Sequence, residues 1–550
     1  MSKNFYDELK ANQDNVSVTE NGMTGYKTTR HALADFNFKV ASYRTDKSAA
    51  LKDFREVLKE GEKYTLKYLF YLRDAREGIG ERDLFKVCIK ELLQSDVNSK
   101  DEIIRVVIEQ TPEYGRWDDL WIFLDTKYQE LVVKAIKDTL KADFANYKAG
   151  KSISLLAKWL PSENASSKKT KALANLLIKE LGTTPREYRK TLTTLRAYLD
   201  VTEVKTCGND WEGIDYNKVP SKANLKYKNA FLAHDEERRR EFLSKALVGD
   251  TTVKVHMSVG FPHDIVHKYT GGGERVRGGY DQSLEAYWKN LKPCVGLADT
   301  IVVRDGSGSM CSRVGNTEVT AMDISTALAI YCSQFLEGSF KDKFITFSSR
   351  AQLVDLSKAG SLESKLNTTY RYGDCSNTNI ENVFQLILDT VTEANRGKTL
   401  EDEDWCDVPS TVLIISDMEF DPSRSSGSWY GGGFNAGANV FKVMDQKFKA
   451  AGYKLPKLAF WNVNSRTGTI PCTYNENGVL LISGFSQNVL SMVMNGKTDP
   501  YDALIEELNK ERYEAIPLVS FGGVGSVNVR KSSGRKIKDK DKQDTPSFLM

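Results

Sequence analysis

Asp305, Ser307 and Ser309 stand at alternate positions in "VVRDGSGSM", where an apolar run stops at an acid and glycines free the backbone to turn. On a tight corner, side chains at that spacing can face one way, and all three carry oxygen. A second apolar run, "STVLIISD", also ends in an acid, Asp417, and "GDCSNTNIENVF" between them supplies hydroxyls just before a helical pattern. Parallel strands deliver the residues at their carboxyl ends to one rim of a sheet, where ligands bind. Two acids and several hydroxyls, without histidine or thiol among them, form a hard-oxygen set. That chemistry suits Mg²⁺ or another hard divalent cation, which takes few carboxylates and keeps several waters.

Other chemistries fit less well. Asp-Gly-Ser alone is an ordinary turn; it is the second acid and the hydroxyl loop that separate this case from one. The glycines are not followed by the Lys-Ser/Thr of a phosphate loop, and the third glycine of a dinucleotide fingerprint is missing. All five histidines (31, 234, 256, 263 and 267) precede residue 270, so a serine triad is not available in the second half, and no catalytic residue is expected. Eight scattered cysteines, none in a CxxC pair, read as reduced core thiols of a cytoplasmic protein and argue against zinc. No apolar stretch approaches the ~20 residues that cross a bilayer, and no membrane partner is expected.

The elements that must position this rim follow from periodicity. From about residue 47 to 295 the apolar residues recur at helical spacing, as in "SAALKDFREVLKEG" and "YQELVVKAIKDTLKADF", with short Gly-, Pro- or Asn-containing connectors. Successive helix pairs without a strict period describe an irregular solenoid. From 296 to 520 short β-branched runs ("TIVVRD", "KFITFS", "STVLIISD", "PKLAFWNV") alternate with amphipathic helices, the pattern of a mostly parallel sheet covered on both faces. Residues 1–46 read as an extended N-terminal segment and 521–550 as a basic flexible tail. The expected class is therefore α + α/β, a helical-repeat module followed by a doubly wound α/β domain.

Asp305, Ser307, Ser309, a threonine ahead of a later helix and an aspartate ending the next core strand resemble the metal-ion-dependent adhesion site (MIDAS) of von Willebrand factor A domains. The resemblance implies that Ser307 and Ser309 bind the metal directly and that Asp305 and Asp417 act largely through water. Thr378 takes the threonine position, with Ser376 as the competing register; "SDMEFD" departs from the Asp-Gly frequent in that family. A helical module before such a domain is similar to the Ro autoantigen family, whose TROVE module is a HEAT-like helical ring. "YLRDAREGIGERDLF", "RWDDLW", "LLAKWLPS" and "FPHDIVHKY" are blocks of this kind, close to a bacterial and phage branch.

That resemblance implies an RNA-binding ribonucleoprotein component acting in RNA quality control or small-RNA scaffolding, not an enzyme. Its partners would be single-stranded RNA ends or small structured RNAs, together with a protein presenting Asp or Glu to the metal. The alternative is a metal-dependent protein–protein scaffold, in a phage or multi-subunit assembly, without RNA. Charge is consistent with a divided molecule: residues 158–190 carry eight Lys/Arg against three acids, whereas 299–421 carry twenty acids against ten bases. Candidate RNA contacts are Arg73, Arg76, Arg82, Lys158, Lys168, Lys169, Lys171, Arg186, Arg189 and Lys190. For the first three the competing reading is ion pairing of Arg76 and Arg82 with Asp74 and Glu81; for the rest it is a solvated face. In the Gly/Ser-rich loop after Asp417, Trp429, Tyr430 and Phe434 are candidates for a partner-contacting lip, against a plain flexible loop.

Overall fold

The first four residues of "TIVVRD" are all β-branched, two on each face, so the strand it forms can be buried from both sides. The computed structural model describes residues 5–257, 259–293, 297, 299–373, 375–423, 439–473, 475–494 and 497–521. In chain order the strands are β1 (Val16–Val18), β2 (Thr24–Tyr26), β3 (Thr300–Asp305), β4 (Lys343–Phe347), β5 (Ala351–Asp355), β6 (Thr411–Ser416), β7 (Lys457–Asn462) and β8 (Val479–Ser483). The last six form one sheet in the order β5-β4-β3-β6-β7-β8. All its neighbours are parallel except the hairpin pair β4 and β5. Four of these strands are the apolar runs read from the sequence; β5 and β8 are additional.

The chain divides into two compact units. One holds residues 1–60, 76–79 and 243–512, and contains the sheet. Its core joins Val303, Ile345, Val412, Ile414, Leu458 and Phe460 from the strands to Phe384 and Phe441 from covering helices. Behind β3, the Ala321–Ser333 helix is buried along its whole length. The other unit holds 61–75, 80–242 and 513–550 and is helical in its described part, including Thr65–Arg73, Arg82–Gln94, Lys100–Tyr114, Gln129–Lys148, Lys168–Leu181 and Pro185–Tyr198.

This division differs from the one expected at residue 295, and at both ends for the same reason: side chains there have partners on the sheet. The N-terminal segment is not simply extended. It forms the Phe5–Asp14 helix, the β1–β2 hairpin and the Ala32–Phe38 helix, and it places Met23 and Phe38 in the sheet's core. Asn462 at the end of β7 donates to the Phe38 carbonyl (2.8 Å), and Ser483 Oγ accepts from the Ala41 amide (2.9 Å). Tyr26 exchanges both backbone bonds with Ile470 (2.9 and 2.8 Å). "FPHDIVHKY" belongs to the same unit. Its helix, Pro262–Thr270, sends His267 Nδ1 (2.8 Å) and Thr270 Oγ1 (2.5 Å) to Asp323, the buried acid that caps the Ala321–Ser333 helix. Among the described residues no helix is long and apolar enough to cross a membrane.

Candidate metal site

β3 and β6 are adjacent and parallel, so their carboxyl ends reach the same rim. Asp305 closes β3, Ser416 closes β6 and Asp417 follows directly. Both aspartates are completely buried. Asp305 accepts the Ser307 amide on Oδ1 (2.9 Å) and the Ser416 hydroxyl on Oδ2 (2.6 Å), which fixes the carboxylate against the turn. The Ser307 and Ser309 hydroxyls are 3.0 Å apart, and Ser309 also reaches the Asp417 carboxylate. Four of the five oxygen-bearing residues singled out in the sequence are thus linked directly.

The loop carrying Thr378 is stitched on through its backbone. Gly308 N–H donates to the Ser376 carbonyl (3.2 Å), and a Cβ on Gly308 would lie 2.9 Å from the Cys375 carbonyl, so only glycine lets the two loops approach. Thr378 is buried; its hydroxyl accepts from Asn21 Nδ2 (3.3 Å) and is bonded to none of the other four residues. Ser376, the alternative, is exposed and shares its hydroxyl with Ser348 (3.2 Å).

The electrostatics of the rim are those of a place short of positive charge. Burial raises the Asp305 carboxyl above its ordinary range, against the pull of Ser416, Ser307 and Arg304. Asp417 is pushed up to about 7, first by burial and then by the Asp305 charge, with Arg466 acting in the opposite direction. Two carboxyls in one buried site resist ionising together. A hard divalent cation removes that conflict, and the donors are all oxygen, so the residues present fit such an ion.

Several rim residues were not anticipated from the sequence. Arg466 pairs with Asp417 Oδ2 (3.1 Å) and with Glu20. Glu419, fully buried, accepts the amides of Glu20 (2.7 Å), Arg466 (2.8 Å) and Thr467 (3.0 Å) and so shapes the loop that carries Arg466. Asn21, in the β1–β2 turn, bridges Thr378 to the Glu419 carbonyl (2.5 Å). On β3 itself, next to Asp305, Arg304 is buried, donating to Thr326 (3.0 Å), Thr346 (2.9 Å) and the Met322 sulfur (2.7 Å). The available signal was weak and positional: Arg466 lies in the segment that follows β7, the strand next to β6. Trp429, Tyr430 and Phe434 lie outside the described residues.

The basic candidates separate by partner. Arg73 is 5 % exposed and holds Asp119 through Nε and an Nη (both 2.7 Å), so it is not a surface phosphate ligand. Arg82 reaches Asp119 and Asp118 (each 2.6 Å), not Glu81, and Arg116 joins Asp118 (2.5 Å) while its guanidinium lies 3.7 Å over the Trp159 ring. "RDAREGIGER", "RWDDLW" and "LLAKWLPS" therefore meet in one brace. Lys158 pairs with Glu203 (3.3 Å) and Arg189 with Glu163. Arg76, Lys168, Lys169, Lys171, Arg186 and Lys190 are exposed.

Residues 299–547 match a domain of unknown function, DUF7788, and residues 123–292 match another, DUF2828. Over 541 residues the chain is 29 % identical to the uncharacterized protein L728 of Acanthamoeba polyphaga mimivirus, an alignment covering 90 % of this chain and 87 % of the viral protein. Among solved structures it is similar to the Ro (RSR) protein of Deinococcus radiodurans, with a TM-score of 0.37 and 13 % identity, covering 84 % of this chain and 93 % of that one.

Proposed function

We propose that the protein is a non-enzymatic, cytoplasmic binding protein whose sheet unit holds Mg²⁺ at a MIDAS-like rim of a von Willebrand factor A-type domain. The observation that carries this reading is the pairing of Asp305 and Asp417, both fully buried, with the Ser307 and Ser309 hydroxyls between them. Ser307, Ser309 and Thr378 would hold the ion with the two aspartates; when bound, it would supply an electrophilic position for an oxygen of a partner's Asp or Glu. The chain's own residues orient that site: Ser416 fixes Asp305, and Glu419 fixes the loop bearing Arg466.

RNA is the partner proposed for the helical unit. The Ro-like motifs support this, as do the exposed Lys168, Lys169 and Lys171 on one helix and Arg186 and Lys190 on the next. Phosphate contacts from such groups release counterions, so affinity must fall steeply with salt.

Calorimetric titration with Mg²⁺ tests the first part. Wild type should bind the ion, and a Ser307→Ala/Asp417→Ala double variant should not, while RNA retention, followed by the 260/280 nm absorbance ratio before and after nuclease, stays unchanged. Wild type that takes up no Mg²⁺ overturns the metal reading; protein free of nucleic acid at low salt overturns the RNA reading.

A further inference from the structure

Beside the oxygen rim, three segments of the sheet unit bring together Glu274, Cys311 and Cys375. One ligand atom from each lies within 4.8 Å of the others. Cys311 sits two residues beyond Ser309, on the loop after β3; Cys375 precedes Ser376, on the loop that carries Thr378; Glu274 follows the Pro262–Thr270 helix. The sequence gives no hint of this grouping, because no two of these residues are near enough to form a recognisable ligand pair.

The geometry points to a second, soft metal site in which Cys311, Cys375 and Glu274 bind Zn²⁺, leaving a fourth position for water or a partner's group. A tetrahedral zinc ion with bonds of about 2.0–2.3 Å sets its ligand atoms roughly 3.3–3.8 Å apart. Glu274 and Cys311 are exposed and Cys375 is half-buried, so small rotamer changes bring the three atoms in. The carboxylate is a donor that a zinc site uses and a disulfide does not. Glu274 Oε1 already lies 2.7 Å from Cys311 Sγ, aimed at the thiol pair. A disulfide has no use for that oxygen, whereas a two-sulfur zinc site needs a third donor. Cys375 is held at φ +46°, a left-handed conformation a cysteine seldom adopts, so its position is set by the surrounding loop. Zinc here would clamp together the two loops that supply Ser307, Ser309 and Thr378, yet the site does not depend on whether the oxygen rim takes Mg²⁺.

Cobalt is the probe, because a Co²⁺–thiolate bond gives a charge-transfer band that oxygen ligands do not. The full chain, reduced, desalted and kept in excess Mg²⁺ to cover the oxygen rim, is titrated with Co²⁺ and then displaced with Zn²⁺. The band is expected in wild type and in Asp417→Asn, absent in Cys311→Ser and in Cys375→Ser, and to require roughly 10- to 100-fold more cobalt in Glu274→Gln. Folding of the variants is checked by their unchanged circular dichroism. No band in wild type, a band that survives the Cys311→Ser/Cys375→Ser double variant, or a Cys311–Cys375 disulfide in the peptide map of freshly isolated protein each overturns the proposal.

Discussion

Two clusters of charge, one in each unit, are built from the same kinds of side chain and balanced in opposite ways. At the Asp118–Asp119 brace, two carboxylates are met by Arg73, Arg82, Lys86 and Arg116. Burial works to raise Asp119, but Arg73 and Arg82 outweigh it and hold the carboxyl below its ordinary range. At the sheet rim Asp305, Asp417 and Glu419 are all fully buried, with Arg304 beneath and Arg466 at the edge, and Asp417 rises to about 7. A cluster with cations in surplus is complete in itself and serves as a brace. One with buried carboxylates in surplus is the arrangement that the proposed cation would balance.

Breaking the brace should have the largest effect. Asp119→Ala leaves Arg73 buried and unpaired, a situation that costs about 3–5 kcal/mol. Urea denaturation should show that loss, and hydrogen exchange should place it in peptides from 61–75 and 80–242. An Asp119→Ala protein as stable as wild type would mean that the brace is ornamental. At the rim the sign reverses: metal-free Asp417→Asn should be no less stable than wild type at pH 8, while its Mg²⁺ affinity falls by roughly 10- to 100-fold or more. Clear destabilisation of that variant in EDTA would make the rim a second brace.

These two clusters were not equally legible in the sequence. The two aspartates of the rim could be read because each ends an apolar run, so the strand pattern that predicts the sheet also places Asp305 and Asp417 together. What could not be read were contacts without a local pattern. Arg82 finds Asp119 37 positions on, in place of Asp74 or Glu81 nearby, and Arg466 meets Glu20 across 446 positions. The same holds for Cys311 and Cys375, which no spacing rule joins. Helical periodicity found most helices but could not assign them: Pro262–Thr270 reads like its predecessors, yet its His267 and Thr270 serve Asp323 behind the sheet. Periodicity reports that a face is apolar, not which surface covers it.

Acidity gives a third, smaller contrast. Asp119, held below its ordinary range, contributes stability present at neutral pH and lost as pH falls through its folded value. Asp417 does the reverse. Its folded carboxyl titrates near 7 against 3.8 unfolded, so the folded state binds more protons between those values. Its contribution is full below the unfolded value and declines as pH rises toward and through about 7. In EDTA, hydrogen exchange in peptides around β3 and β6 should therefore quicken from pH 6 to 8 beyond the intrinsic rate increase, and Mg²⁺ should remove the excess. Exchange around the brace should show no such excess over that interval. Equal behaviour of the two regions would erase the distinction drawn from their charge balance.

Arg466 offers the finest test, because, unlike the buried Arg304, it is partly open to water. Its guanidinium occupies Asp417 Oδ2 at 3.1 Å and is tied to Glu20 on its other side. If the rim awaits an external cation, Arg466 is a resident competitor, and Arg466→Met should bind Mg²⁺ a few-fold more tightly in calorimetry. The substitution also leaves Asp417 with one cation fewer, so the metal-free variant should hold its proton to a higher pH and the gain in affinity should grow from pH 7 to 8. A brace predicts otherwise: losing Arg466 would slacken the Arg466–Thr467 loop that Glu419 gathers, and Mg²⁺ affinity would fall at every pH. The direction of that change separates a competitor from a support without any need to know the partner.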